Sequence, residues 1–104
     1  LPIMLPYRNP ANYSGFHLYP IQLTADSGKT RKQVFDSLRA QNIGVNVHYI
    51  PVHTQPYYAK LGFRQGDFPH AERYYAQAIS LPLYYDLSEA SQAQVVDAIY
   101  QALA

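Results

Sequence analysis

The sequence has no cysteine and no tryptophan. Without thiols it can form neither a disulfide framework nor a thiolate metal site, and it has no cysteine nucleophile. A reducing cytosol permits that composition, so a cytoplasmic location is the expectation. Charge is sparse and balanced, eight Lys or Arg against seven Asp or Glu, for a net charge of +1. The one basic cluster, Lys29-Thr30-Arg31-Lys32, is too short to track a phosphate backbone, and no nucleic-acid partner is expected. No apolar run approaches the roughly 20 residues of a membrane-spanning helix, so no membrane partner is expected either. The five glycines are scattered among turns and helix ends, which excludes a glycine-rich phosphate loop. There is no Gly-x-Ser-x-Gly elbow and no paired carboxylate, and Ser80 and Ser88 have strand and capping explanations.

What the chain does contain is bulk and tyrosine. Hydrophobic residues make up 48% of its 104 residues, the composition and length of one globular domain. Eleven residues are tyrosine, including the neighbours Tyr57-Tyr58, Tyr74-Tyr75 and Tyr84-Tyr85. Adjacent residues on a regular element point in different directions, so one ring of each pair should face a cleft, a partner or water.

Residues 1–14, with three prolines and Asn9, Asn12 and Ser14, read as an irregular connector from an upstream large domain. Residues 15–104 then read as one small domain. Phe16 to Leu23 predicts a strand with Phe16, Leu18, Ile21 and Leu23 inward and Pro20 at a bulge or edge. Thr30 with Gln33 forms a capping box opening a helix whose stripe is Val34, Phe35 and Leu38, and Gly44 is the expected left-handed residue after its end. Val45 to Tyr49 predicts a second strand, ended by Pro51. A short helix opened by Pro56 and closed by Gly62 follows, then a turn at Gly66-Asp67 and a helix from Pro69. Ile79 to Leu83 is a third strand, and Leu87-Ser88-Glu89 starts a last helix with Val95, Val96, Ile99 and Leu103 on one face. The sum is an α+β two-layer sandwich: a three-stranded, mainly antiparallel sheet, helices on one face, the other face free for something else.

The run Val45-Asn46-Val47-His48-Tyr49-Ile50-Pro51-Val52-His53-Thr54-Gln55-Pro56-Tyr57-Tyr58 carries the candidate site. Asn46, His48, Tyr49, His53, Gln55, Tyr57 and Tyr58 offer hydrogen bonds and ring faces, which suit a polar, ring-shaped or phosphorylated ligand. On the simplest alternative, His48 and Tyr49 finish a sheet and His53 caps the next helix. His48 and His53 could also share a metal, but no neighbouring Asp, Glu or Cys completes a ligand set, and no metal site is expected.

The same run, from Gly44 to His53 with Gln55-Pro56-Tyr57-Tyr58, resembles the C-terminal small domain of the DegT/DnrJ/EryC1/StrS sugar-nucleotide aminotransferases. So do Phe16-His17-Leu18-Tyr19, Gly66-Asp67-Phe68-Pro69 with Ala71-Glu72, and Ser80-Leu81-Pro82-Leu83-Tyr84, in that family's order. His48-Tyr49-Ile50-Pro51-Val52-His53 with Gly66-Asp67-Phe68-Pro69 is similar in particular to the branch that aminates UDP-4-keto-6-deoxy-hexosamines on the route to pseudaminic acid. The resemblance implies the small domain of the aspartate-aminotransferase fold, a homodimer, pyridoxal 5'-phosphate as cofactor, and transfer of an amino group from glutamate to a nucleotide sugar. It also implies that His48, Tyr49 and His53, with Gln55 and Tyr57 as lining, bind the substrate. Neither Lys29 nor Lys60 stands in a context resembling the cofactor lysine, so the chain alone is expected to be inactive. The alternative is an autonomous small-ligand or protein-interaction module that kept the fold without the chemistry.

Overall fold

Residues 1–104 are all described in the computed structural model. Ile3–Met4 form β1, paired antiparallel with β2, Tyr19–Leu23, so that Ile3 faces Leu23 and Met4 faces Gln22. The alternation of β2 sends Ile21 and Leu23 into the core. Helix α1, Arg31–Ala40, follows a turn through Gly28 and opens on the predicted capping box. In it the Gln33 N–H donates to Thr30 Oγ1, and the Thr30 N–H donates to Gln33 Oε1. Two short helices, α2 at Pro56–Lys60 and α3 at Pro69–Gln77, each begin on proline, where the missing N–H costs nothing. α3 runs straight into β3, Ala78–Leu81, which pairs antiparallel with β2. Helix α4, Glu89–Leu103, begins where the Ser91 N–H donates to Ser88 Oγ.

The sheet has the order β1-β2-β3 and is antiparallel throughout. Its core lies against α1 and α4: Ile21, Leu23 and Ile79 meet Val34 and Leu38 of α1 and Val95, Ala98, Ile99 and Ala102 of α4. Arg31, at the start of α1, stacks its guanidinium 4.8 Å from the ring centre of Tyr75, which ties α3 to α1.

The expected α+β sheet with helices is present, but its strands are distributed differently. The predicted strand at 45–49 shrinks to one bridge, in which the Asn46 N–H donates to Ser80 O at 3.1 Å and the Ser80 N–H to Asn46 O at 2.8 Å. The third strand is instead β1, inside the segment read as irregular. β2 begins only at Tyr19, leaving Phe16 and Leu18 41% and 38% exposed rather than inward. Pro20 pairs with Ser80 in the middle strand without a bulge, because two-residue β1 has ended before reaching its level. The left-handed residue after α1 is Asn42, not Gly44. The Ile43 N–H donates to Leu38 O and the Asn42 N–H to Arg39 O, a Schellman end that packs Ile43 on the core. On α4 the buried stripe runs through Ala98 and Ala102, while Val96 faces outward. The second face of β3 is not left bare: Ala78 and Ser80 alternate with Ile79 and are themselves buried.

Candidate functional site

The candidate run starts inside the core and leaves it within a few residues. Val45 is buried, Asn46 makes the last sheet pairing, and His48 Nδ1 lies 2.9 Å from Ser80 Oγ in a hydrogen bond. The His48–Tyr49 peptide bond is cis. Past it Pro51 is buried and opens a tight turn at Val52–Thr54, in which Thr54 Oγ1 donates to Pro51 O at 2.7 Å. α2 then closes in a second Schellman end, with Gly62 in the left-handed region at φ 99° and the Phe63 N–H donating to Tyr58 O.

His53 is 7% exposed. Its Nε2 donates to Glu72 Oε1 at 2.6 Å; a carboxylate only accepts, so this nitrogen carries the proton. The same oxygen accepts the Gly66 N–H, also at 2.6 Å. The His53 bond first and the Gly66 N–H second hold the Glu72 carboxyl below its usual range, against a partial desolvation that acts the other way. Gly66, at φ 95°, belongs to the predicted turn, in which Asp67 Oδ2 accepts the Arg64 N–H. Phe68 packs its ring 4.8 Å from that of His53, and ring contacts continue from Phe68 to Phe63, Tyr58 and Tyr57.

The five expected substrate-binding residues therefore occupy unlike places. Tyr49 and Tyr57 are 66% and 67% exposed. Gln55 is half-buried at the start of α2, its side chain making no cap bond. His53 is turned inward on Glu72 rather than presented to a ligand. His48 alone of the five lines a groove of about 500 Å3, which it shares with His17, Asn46, Ser80, Tyr84 and Gln94. No Lys, Arg, Asp or Glu lines that groove. Ser80 and Glu72 are the partners that sequence reasoning missed. Ser80 passed for an ordinary strand residue, and Glu72 stands far from His53 in the chain, its one signal being its place in the Gly66-Asp67-Phe68-Pro69-His70-Ala71-Glu72 motif.

Comparison with known proteins turns this geometry into a family. The profile of the DegT/DnrJ/EryC1/StrS aminotransferase family matches residues 2–100. This chain belongs to that family. It is 37% identical to the spore coat polysaccharide biosynthesis protein SpsC of Bacillus subtilis, over 93% of this chain and 26% of that protein. Among solved structures it superposes on S. venezuelae DesV, in complex with a ketimine intermediate, with a TM-score of 0.87 at 29% identity, covering 99% of this chain and 27% of that one. It superposes on Helicobacter pylori PseC, an aminotransferase involved in the biosynthesis of pseudoaminic acid, with a TM-score of 0.75 at 29% identity, covering 84% and 23%. The chain spans about a quarter of the length of the curated relatives it matches.

Aminotransferases of this family imply pyridoxal phosphate, which needs a free lysine, an acid for the pyridine nitrogen and a phosphate cup. None of the chain's three lysines lines the groove that His48 shares. Lys29 Nζ donates to the carbonyls of Ala102 and Ala104 at 3.0 Å each, closing the end of α4. Lys32 pairs with Asp36 on the exposed side of α1, and Lys60 sits at the exposed end of α2. No group of three or more His, Asp or Glu gathers closely enough to hold a metal. His70 is on the surface, accepting a hydrogen bond from Arg73.

Proposed function

We propose that this chain is the small domain of a pyridoxal-phosphate-dependent sugar aminotransferase. The intact enzyme would pass an amino group from glutamate to a nucleotide-linked 4-keto-6-deoxy sugar, for surface or cell-wall polysaccharide. The observation that carries the reading is that the aminotransferase family profile matches residues 2–100, nearly all of a chain with no lysine at its groove. The cofactor and its lysine then belong to a large domain, and the 104 residues contribute only substrate contacts. The motifs His48–His53 and Gly66–Pro69, and the likeness to PseC, support a hexosamine of the pseudaminic acid route as the sugar.

Within that division, Tyr49 and Tyr57 offer exposed aromatic faces with hydroxyl tips, suited to a base or sugar ring. His48 and Asn46, in a groove without charged side chains, suit the neutral hydroxyl and amide groups of a sugar. Gln55, half-buried at the start of α2 with no cap bond, is left free to hydrogen-bond a ligand. His53, buried on Glu72, holds the segment in place instead of touching the ligand. The intact enzyme is a cytoplasmic homodimer in this reading.

Two measurements test it. Incubation of the chain with pyridoxal phosphate, followed by borohydride reduction and peptide mapping, should leave only scattered labelling. A stable adduct at a single lysine refutes the division of labour. Calorimetry of the chain alone should show no saturable binding of UDP-sugars; clear affinity would favour an autonomous ligand-binding module.

A further inference from the structure

The segment bearing Tyr49, Gln55 and Tyr57 has almost no core of its own. α2 and α3 bury no residue, and Val52, Tyr57, Leu61 and Phe68 are exposed. Beside its ring contacts, its order rests on polar contacts, and two that join different turns meet on one atom. Glu72 Oε1, in the first turn of α3, accepts His53 Nε2 from the turn after Pro51 and the Gly66 N–H from the turn before α3. Phe68 closes over the His53 ring at 4.8 Å. In the chain Tyr49 and Gln55 flank His53, and Tyr57 lies in the first turn of the helix just beyond it. A single carboxylate oxygen thus ties two turns within the excursion that leaves the sheet at Asn46 and returns through α3.

We propose that Glu72 is a positioning residue for sugar-nucleotide binding: by holding His53 and the Gly66 amide on one oxygen, it fixes the pose of Tyr49, Gln55 and Tyr57 without touching the substrate. This rests on the function proposed above. Without the clamp those side chains sample many poses, and a ligand must order them as it binds. On that reading the cost falls on the nucleotide sugar, the ligand assigned to these side chains, and not on glutamate.

The test measures both half-reactions of the intact aminotransferase in wild type, Glu72→Gln and Glu72→Ala. KM for the nucleotide sugar should rise about tenfold in Glu72→Ala, the scale of one charge-assisted hydrogen bond, and less in Glu72→Gln. The maximal rate of the glutamate half-reaction should not change. A purely structural role would reduce the active fraction, lowering both half-reactions alike at constant KM; that result, or an unchanged KM, overturns the proposal. A wild-type enzyme that does not transaminate sugars would strike the functional reading instead, and NMR of the 104-residue chain then decides on the clamp. Glu72→Gln should move the amide signals of His53, Gly66 and Tyr57 while sparing Ile21 and Ile79. Shifts confined to α3 would overturn it.

Discussion

Two regions of this chain are ordered by different physics. The sheet with α1 and α4 buries Ile21, Val34, Leu38, Val45 and Ile79 completely or nearly so, and its helices, more than its strands, could be traced from apolar periodicity. The arm from Tyr49 to Arg73 carries five of the chain's fifteen Tyr and Phe rings but buries only Pro51 and His53. There, shape is set by punctuation: Pro56 and Pro69 open the helices, Gly62 and Gly66 take left-handed conformations, and Glu72 ties the turns together. The lesson is that the apolar half provides stability while the arm, with its rings exposed, is free to serve recognition. Such a region is expected to open locally at low cost while the core stays folded.

The comparison is broken most directly in the core. Leu38→Ala should lower unfolding free energy by about 2–5 kcal/mol, since it leaves a cavity between α1 and α4 that packed neighbours cannot fill. Leu61→Ala, on the exposed face of the arm, should stay within about 0.5 kcal/mol of wild type. Urea titration of the two variants measures the contrast directly, and equal losses would erase it. A smaller effect belongs to the helix start that frames the core: Thr30→Ala removes the acceptor of the Gln33 N–H and should cost about 1 kcal/mol in the same titration.

What the sequence made legible divides along the same line. The capping box at Thr30, the prolines at helix starts, the closure of α2 by Gly62 and the stripe Val34–Leu38 are local signals, each fixed by chemistry within a few residues. Strand assignments were harder because β pairing depends on a partner. Nothing local tells Val45–Tyr49 that only Asn46 will pair, or Ile3–Met4 that Leu23 and Gln22 wait beside them. The site shows the same limit. His48 and His53 were visible as polar residues leaving a strand, but their partners Ser80 and Glu72 are contributed by later elements. Only the fold separates the imidazole that meets a groove from the one that is buried.

The arm's dependence on Glu72 gives a pH signature that the core should lack. The Glu72 carboxyl sits below its ordinary value of 4.5 in the folded chain, chiefly through the His53 bond and then the Gly66 N–H. A depressed carboxyl contributes stability above the unfolded value, and that contribution disappears as pH falls through the folded one. Wild type should therefore lose melting temperature on acidification below 4.5 more steeply than Glu72→Gln, which has no carboxyl at this position to protonate. Amide exchange should show the loss at Gly66 before it appears at Ile79. Parallel acid profiles for the two proteins would mean that the clamp is idle.

The smallest change in stability should accompany a change in recognition, and Tyr57 is the place to look. Its ring is 67% exposed and meets Tyr58 edge-on at 5.2 Å, so Tyr57→Ala removes little buried surface. Unfolding free energy should move by no more than about 0.5 kcal/mol. On the function proposed above, the same substitution in the intact aminotransferase should raise KM for the nucleotide sugar while leaving the glutamate half-reaction alone, because what it removes is ligand contact more than packing. Tyr57→Phe separates the two parts of that side chain: retained affinity assigns the contact to the ring, and loss equal to that of Tyr57→Ala assigns it to the hydroxyl. A Tyr57→Ala enzyme with unchanged sugar KM would leave the exposed rings of the arm without a part in binding, and the contrast with the core would then be one of packing alone.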